Sequence, residues 1–320
     1  MFEWLFNGKK LRENGVLGMN DRNYSVIAKY NRRSLYTLVD DKVKTKRLAN
    51  SININTPKMI GIIEHQYQVK NLLDIVKGYD TFVIKPAHGS GGKGVLVIKE
   101  YDAEHFYSAS GDVLSFKDVY QHVSNTLSGL FSLGGKYDVA LIEEAVNFSD
   151  VFKDFSYHGV PDVRVIVYKG SFSTMPFPAM VMMRLATKES GGRANLHQGA
   201  VGVGLDVRTG QPLNAVMHNK TILQHPDTKA NLMDLRVPFW KEHLIIGSLA
   251  YDMTGLGYLG ADIVLDKNRG PMMLEVNARP GLAIQIANGR GLKNRLKEID
   301  ETYPTGLSAE ERVDFVLNSG

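Results

Sequence analysis

A glycine-rich stretch, KPAHGSGGKGV from Lys85 to Val95, is the clearest candidate ligand-binding segment in the sequence. Its glycines leave backbone N–H groups free to converge on an anion. Lys85 and Lys93 add positive charge at the two sides, so phosphate is the expected ligand. The runs TFVIK (81–85) and GVLVIK (94–99) predict strands on both sides of the loop.

Three known kinds of glycine loop compete with this interpretation. A Walker A loop places Ser or Thr after its lysine and then opens a helix, whereas Gly94 and a strand follow Lys93. Gly89, Gly91 and Gly94 match G-x-G-x-x-G, but a dinucleotide-binding loop also opens a helix. A kinase loop lies between strands, but its lysine follows the loop, and the sequence contains neither HRD nor DFG. A strand–loop–strand flap remains, and a glycine hairpin without a ligand is its alternative.

Two carboxylates and a carboxamide could bind a hard cation. Glu275 and Asn277 are two residues apart in a predicted strand, so they share one face. The turn DKNRG (266–270) predicts a hairpin that brings Asp262 beside them. Such an all-oxygen set suits Mg²⁺. The alternative is an ordinary polar rim on a sheet.

The elements that position these groups follow from the hydrophobic pattern. Apolar spacing, caps and breakers predict helices from Asp40 (capped by Asp40 or Asp41) and over Ser115–Phe131, Phe239–Thr254 and Ile284–Ile299. Runs rich in Val and Ile predict strands at Ala140–Val146, Val163–Lys169, Gly260–Leu265 and Pro271–Val276. The remaining patterns predict antiparallel hairpins over 171–225, and a helix with one strand (Tyr24–Tyr30) in residues 1–40. The fold class is therefore α+β, with a mostly antiparallel second half.

In the helix at Ser115–Phe131, the residues predicted to share one face are Val119, Val123, Leu127 and Leu130.

Composition excludes several classes of protein. The 320 residues are 43% hydrophobic and 22% charged, as in globular proteins, and the net charge of +4 does not indicate nucleic-acid binding. The absence of cysteine excludes disulfides, thiolate zinc sites and thiol nucleophiles. No signal peptide or membrane span is expected, so the expected location is the cytoplasm.

Taken in order, these residues resemble those of the ATP-grasp ligases. Three segments are most similar to the RimK-type α-L-glutamate ligases: GGRANLHQGA (191–200), GYLGADIVL (257–265) and NRGPMMLEVNARPGL (268–282). The resemblance runs from about Asp40 to Leu282. It implies the ATP-grasp fold, in which two α+β subdomains clasp ATP.

The resemblance also implies a domain organisation. The expected parts are a short N-terminal segment (1–40), a subdomain with the glycine-rich flap (41–146) and a subdomain with the metal site (147–320). ATP-grasp ligases usually carry a substantial N-terminal domain before the first lysine, so the N-terminal region here is much shortened. Gln198 and Arg279 also depart from the RimK-type pattern, and the stretch 204–240 is longer than in the simplest members.

By resemblance, one set of residues binds ATP. Lys42 and Lys85 reach the phosphates, the flap covers them, the backbone of 143–146 reads adenine, and Glu144 or Asp150 binds the ribose. The complete ATP-binding set is Lys42, Lys85, Gly89, Ser90, Gly91, Gly92, Lys93, Gly94, Glu143, Glu144, Ala145, Val146 and Asp150.

Further residues are expected to hold the metal and the reacting groups. By resemblance, Asp262, Glu275 and Asn277 hold one or two Mg²⁺ ions, which Mn²⁺ can replace. Arg164 and Asn195 face the transferred phosphoryl group or the bound carboxylate. Arg184 and Arg193 flank a glycine-containing loop, and one of them is expected to bind an anion.

The expected activity is ATP- and Mg²⁺-dependent joining of a carboxylate to an amine through an acyl phosphate. The substrates would be small-molecule or peptide carboxylates and amines, with glutamate or another amino acid as the amine. One alternative is a nucleotide-binding component of a complex that does not ligate. Another is an ATP-grasp enzyme acting on an envelope or sugar-linked carboxylate. Formation of a homo-oligomer stays open.

Overall fold

The protein divides into two compact units in a computed structural model that describes residues 3–89, 91–102, 104–132, 134–170 and 175–319. The large unit comprises Met1–Val39, Ile52–Asn55 and Phe148–Gly320. The small unit comprises Asp40–Ser51 and Thr56–Asn147. Residues 1–39 therefore group with the C-terminal half of the chain.

The helices of the described residues are mostly short. They are α1 (Glu3–Glu13), α2 (Met19–Asp21), α3 (Ala28–Tyr30), α4 (Thr37–Asp40), α5 (Lys42–Ser51), α6 (Leu72–Val76), α7 (Phe116–Leu127), α8 (Trp240–Thr254), α9 (Ala283–Asn288), α10 (Leu292–Thr302) and α11 (Ala309–Asn318). A π-helical turn spans Arg22–Ile27, and 3₁₀ turns span Arg33–Leu35, Gln66–Asn71, Asp150–Phe152, Leu196–Gln198 and Leu232–Asp234. None of the helices in the described part of the chain is long and apolar enough to cross a membrane.

The strands form two antiparallel sheets, one in each unit. The small unit holds β1 (Met59–Ile63), β2 (Phe82–Pro86), β3 (Leu96–Tyr101), β4 (His105–Ser108), β5 (Val113–Ser115) and β6 (Ala140–Glu144) in the order β1-β6-β2-β3-β4-β5. The large unit holds β7 (Asp162–Lys169), β8 (Pro176–Leu185), β9 (Val201–Leu205), β10 (Pro212–Met217), β11 (Lys220–Thr221), β12 (Tyr258–Asp266) and β13 (Gly270–Asn277) in the order β11-β10-β9-β8-β7-β12-β13.

In the small unit, α7 packs its apolar stripe onto the sheet. Val119, Val123 and Leu127 recur at helical spacing and join the core that contains Ile84 and Ile142. Ser115 and Asp118 form the capping box that starts the helix. The prediction that Leu130 shares this face is wrong, because the helix ends at Leu127 and Leu130 is 66% exposed.

In the large unit, helices cover both faces of the sheet. On one face α8 approaches closely, since a Cβ on Gly247 would lie 2.8 Å from a methyl of Val165. The other face carries Ile166, which follows Val165 in β7, and Met182 of β8. These side chains pack into one core with Ile284 of α9 and Leu296 of α10. Polar side chains occupy the ends of β7, β8, β12 and β13 that lie beyond this core.

Two predictions at the ends of the chain are wrong. Residues 24–30 form helical turns and not a strand, and Val26 and Ile27, neighbours in sequence, are both buried. The helix predicted over Ile284–Ile299 is split into α9 and α10, because Gly289 adopts a left-handed conformation (φ 60°). The hairpin at 266–270 is confirmed, with Asp266 paired to Gly270.

Candidate functional site

The glycine-rich segment forms a loop between β2 and β3, so the predicted strand–loop–strand arrangement is confirmed. Gly91, Gly92 and Gly94 adopt left-handed φ values of 63°, 75° and 72°, which favour glycine. Gly94 also lies against Phe131, whose ring would be 2.5 Å from an added Cβ. The predicted Ser90 lies outside the described residues. Glycine at these three positions is thus favoured by the backbone conformation, whatever the loop binds.

Lys42 reaches the start of this loop from the first turn of α5. Asp41 caps the helix, since its Oδ1 accepts hydrogen bonds from the backbone N–H groups of Val43 (3.0 Å) and Lys44 (3.1 Å). The Lys42 ammonium donates to the carbonyl of Gly89. The predicted first lysine and the glycine loop therefore lie together within the small unit.

Lys85 lies on β2 and is paired with a buried carboxylate. Its ammonium contacts Glu143 Oε1, and the Lys46 ammonium lies 2.7 Å from Glu143 Oε2. Burial acts to raise the pKa of Glu143, but the two lysines outweigh it and hold the pKa below its usual value. Glu143 is therefore ionised at neutral pH. Its side chain is the counter-ion of the two lysines, and its backbone begins the predicted adenine segment.

The predicted adenine segment begins inside the sheet. Glu143 pairs with Met59 of β1 and with Val83 of β2, so its backbone lies within the ladder. The Glu144 N–H donates to the carbonyl of Lys58 (2.9 Å). β6 ends at Glu144, which leaves the backbone of Ala145 and Val146 outside the strand.

Asp150 lies in the large unit, at the start of a 3₁₀ turn. Its carboxylate is 69% exposed and lies 2.7 Å from the ammonium of Lys267. The lysine hydrogen bond lowers the pKa of Asp150.

A row of charged side chains crosses four strands of the large unit. Asp262 of β12 is directly opposite Arg164 of β7 on one side and Glu275 of β13 on the other. Asp162 of β7 is opposite Arg184 of β8. Opposed residues of an antiparallel pair point to the same face, so these five side chains share one face of the sheet.

Two arginines and two aspartates of this row form a continuous network. Arg164 donates to both oxygens of Asp262 (2.6 Å each). Arg184 donates to both oxygens of Asp162 (2.5 and 2.6 Å), and its Nη2 lies 2.8 Å from Asp262 Oδ2. Both arginine side chains are 13% exposed, so these charges are largely removed from water. Bidentate pairs of this kind fix the planes of the guanidinium groups.

The two aspartates differ in the net shift of their pKa. Burial raises the pKa of Asp162 to about 6; Arg184 pulls it down, and the charge of Asp262 pushes it up again. For Asp262 burial also acts to raise the pKa, but Arg164 and Arg184 outweigh it and lower the pKa. Asp262 is therefore the more firmly ionised of the two.

The predicted metal residues are of types that suit a hard cation, and they lie on neighbouring strands. Asp262 and Glu275 are in register, and Asn277 follows on the face of Glu275 with its Nδ2 at 3.4 Å from Asp262 Oδ2. Among the described residues, no group of three or more His, Asp or Glu side chains suited to a metal occurs, so the carboxamide would have to complete the set. If a cation bound here, the oxygens of Asp262 would be shared between the cation and two guanidinium groups. An additional anion such as phosphate would balance the positive charge of these three groups.

Arg193 and Asn195 lie in the loop between β8 and β9. Asn195 Oδ1 accepts the N–H of His197 (3.0 Å) and so caps the 3₁₀ turn that follows. Arg193 is exposed. Arg184 belongs to the aspartate network and is held in a fixed orientation, so it is the better placed of the two predicted anion-binding arginines.

Three residues of these clusters were not predicted from the sequence. They are Lys46 on α5, Asp162 on β7, and Asp138 before β6, which accepts a hydrogen bond from the backbone N–H of His88 beside the glycine loop (3.1 Å). Lys46 lies one helical turn after Lys42, and Asp162 lies two residues before Arg164, so helical and strand spacing could have indicated both. Asp138 has no such signal, because its partner His88 lies 50 residues earlier in the chain.

Comparisons with solved structures give likenesses of low identity. D-alanyl-alanine synthetase A from Vibrio cholerae O1 biovar eltor has a TM-score of 0.49 at 10% identity, covering 88% of this chain and 65% of that one. The D-alanine-D-alanine ligase from Coxiella burnetii has a TM-score of 0.46 at 12% identity, with 88% and 60% covered. The Helicobacter pylori enzyme has a TM-score of 0.45 at 15% identity, with 83% and 62% covered. The chain spans less than two thirds of the length of these ligases, and the likenesses carry no information on activity.

Sequence comparison is more decisive. No curated protein gives a significant match. The profile of the sugar-transfer associated ATP-grasp family matches residues 21–301, which is most of the chain. The expected ATP-grasp fold is thereby shown, whereas the finer likeness to RimK-type ligases stays a prediction. The chain belongs to the sugar-transfer associated ATP-grasp family.

Proposed function

We propose that this protein is an ATP- and Mg²⁺-dependent carboxylate–amine ligase that works through an acyl phosphate. The observation that carries the proposal is the charged row of the large unit, in which two oriented guanidinium groups contact Asp262, and Glu275 lies opposite Asp262 on the next strand. Such a row can hold a transferred phosphoryl group and a carboxylate at once, because it offers donors for anions beside ligands for a cation. The lysines and glycine loop of the small unit supply the phosphate contacts.

The reaction requires two steps. An oxygen of the acceptor carboxylate attacks the γ-phosphorus of ATP, the bond from that phosphorus to ADP breaks, and an acyl phosphate forms. The amine nitrogen then attacks the carbonyl carbon, phosphate leaves with the electron pair of the C–O bond, and the nitrogen loses a proton to solvent. Phosphate replaces a carboxylate oxygen that could not leave by itself, so no protein nucleophile is needed.

The residues of the chain would act by charge and position. Arg164 and Arg184 would orient the carboxylate and stabilise charge on the moving phosphoryl group. Lys42 and Lys85 would neutralise the phosphates of ATP. Mg²⁺, held by the metal residues, would supply further positive charge at the β and γ phosphates.

The acceptor and the amine are separate proposals. The family description, which refers to sugar transfer, favours a sugar-linked or cell-envelope carboxylate as acceptor. The similarity of residues 191–200 and 268–282 to RimK-type ligases favours glutamate as the amine. We place the reaction in the cytoplasm, where ATP is available.

Trapping with hydroxylamine tests the proposal. The protein would be mixed with ATP, Mg²⁺ and a panel of carboxylates, including uronic acids and amino acids, and hydroxylamine would replace the amine. We expect ADP, phosphate and a hydroxamate, because hydroxylamine attacks an acyl phosphate with little recognition. AMP as the nucleotide product would contradict the acyl phosphate, and nucleotide binding without turnover on any carboxylate would favour a non-ligating role.

Glu275→Gln tests the metal residues. The change keeps the size of the side chain and removes a charge, and charged contacts contribute about 1.5–3 kcal/mol each. We expect the Mg²⁺ concentration for half-maximal turnover to rise at least about tenfold. An unchanged Mg²⁺ dependence would exclude Glu275 as a ligand.

A further inference from the structure

Asp138 is a fully buried carboxylate that the proposed reaction does not use. Its side chain is 0% exposed and lies just before β6. His88 Nδ1 lies 2.7 Å from Oδ1, the His88 backbone N–H lies 3.1 Å from both oxygens, and the Val139 N–H donates to Oδ1 at 2.7 Å. The Ser132 hydroxyl donates to Oδ2. One carboxylate therefore collects donors from three separate segments of the small unit.

These contacts keep Asp138 charged. Burial acts to raise the pKa of Asp138, but the hydrogen bonds from Ser132, His88 and Val139 outweigh it and lower the pKa. With the carboxylate ionised, His88 Nδ1 must carry the proton and donate it. Charge-assisted hydrogen bonds of this kind are stronger than neutral ones, so His88 is firmly held.

Holding His88 also holds the glycine loop, because His88 directly precedes Gly89. Gly89 forms a β-bridge with Ser132, which is itself bound to Asp138, and its carbonyl accepts the Lys42 ammonium. At the far end of the loop, His122 Nε2 lies 3.0 Å from the carbonyl of Gly94. The described part of the loop is thus tied at both ends, while Gly92 in the middle has open space around it.

We propose that Asp138 is a positioning residue for phosphate binding, which acts through His88 to preset the position of Gly89 at the start of the glycine loop. This inference rests on the proposed function, since the loop must bind the β and γ phosphates of ATP. A loop that is already ordered loses less conformational entropy when its ligand binds. In this role Asp138 acts through His88 and not by contact with the nucleotide.

Nucleotide affinities of four variants test this role. They are Asp138→Asn, His88→Asn, His88→Ala and the matched control Asp118→Asn, which removes an aspartate from the exposed cap of α7 in the same unit. Calorimetry would measure the Kd for a nonhydrolysable ATP analogue, ADP and AMP, and thermal unfolding would be followed in parallel.

We expect Asp138→Asn and His88→Ala to weaken binding of the ATP analogue and ADP about tenfold, and to leave AMP within about twofold, since AMP lacks the β and γ phosphates. His88→Asn should stay within about threefold of the wild type, because the asparagine Nδ2 can replace the imidazole Nδ1 as donor to Asp138. Asp118→Asn should bind all three nucleotides like the wild type.

Several outcomes would overturn the inference. Wild-type affinity in Asp138→Asn would show that the loop does not need this anchor. An equal loss for AMP and the ATP analogue would indicate general damage to the unit, and equal losses in His88→Asn and His88→Ala would show that the imidazole contacts phosphate itself. If Asp138→Asn fails to fold, the two His88 variants decide. Absence of nucleotide binding in the wild type would instead refute the proposed function and this inference together.

Discussion

The two buried charge clusters differ in net charge. In the small unit, Lys46 and Lys85 share the one carboxylate of Glu143, so these three side chains carry one net positive charge. In the large unit, Arg164 and Arg184 meet Asp162 and Asp262, so these four side chains carry no net charge, and the half-buried Glu275 lies opposite Asp262 on the next strand. Buried charge is costly unless it is compensated. The first cluster is therefore suited to receive an anion, and the second to receive a cation with its phosphate.

The clusters also differ in how they are built. The lysine cluster joins a helix to two strands, and lysine ammonium groups are compact point charges on flexible stems. The arginine cluster joins neighbouring strands in register, and its guanidinium planes are fixed by bidentate bonds. This contrast fits a division in which the small unit neutralises phosphates and the large unit orients the reacting groups.

Asp262→Asn should have the largest effect of the changes considered. It would leave Arg164 and Arg184 with one buried partner fewer, and breaking a buried pair costs about 3–5 kcal/mol. We expect the free energy of unfolding, measured with urea, to fall by that amount, and turnover to be lost. The control Asp234→Asn removes an exposed aspartate of the same unit and should change stability by less than about 0.5 kcal/mol. Similar stabilities of the two variants would contradict the network.

The pH dependence of stability should separate the clusters by sign. The pKa of Glu143 is lowered in the folded state, so its contribution is present above its ordinary value of 4.5 and is lost as the pH falls through the folded value. The pKa of Asp162 is raised to about 6 from 3.8, so the folded state holds that proton more tightly. Rising pH therefore destabilises the fold through Asp162 between about 4 and 6.

Urea unfolding of the wild type and Asp162→Asn from pH 4.5 to 7.5 measures this second effect. The stability of the wild type relative to the variant should decrease by at most about 3 kcal/mol as the pH rises to about 6, and should then stay constant. A difference between the two proteins that does not vary with pH would show that Asp162 is already ionised at pH 4.5.

Matched substitutions of two lysines examine the lysine cluster. Lys85 is 10% exposed and held by Glu143, whereas Lys93 is exposed in the glycine loop. We expect Lys85→Met to weaken binding of a nonhydrolysable ATP analogue about tenfold and Lys93→Met about threefold or less, because only the ordered charge is already in position. Calorimetry would give both values, and a larger loss for Lys93→Met would place the phosphates nearer the middle of the loop.

The sequence allowed the local parts of this site to be predicted. The loop with its glycines, the cap at Asp41, the hairpin at 266–270 and the shared face of Glu275 and Asn277 all follow from spacing over a few residues. Pairings between strands that are distant in the sequence did not follow, because the register that sets Arg164 opposite Asp262 depends on the whole sheet. Asp138 is the extreme case, since its partners at 88 and 132 are distant in the chain or lie across a turn.

The ribose contact should show the smallest effect, and the choice lies between Glu144 and Asp150. Asp150 is 69% exposed and paired with Lys267, and surface ion pairs of this kind do little to hold a side chain in one position. Glu144 is half-buried at the end of β6, where its N–H is bound to Lys58. We therefore expect Glu144→Gln to weaken ATP-analogue binding about three- to fivefold and Asp150→Asn to have less effect. Each protein would also be measured with the 2′-deoxy and 3′-deoxy forms of the analogue. The residue that binds the ribose should lose its effect on affinity when the hydroxyl it contacts is missing, because the two changes then remove the same interaction. If the Asp150 effect disappears in this way and the Glu144 effect persists, the assignment is reversed.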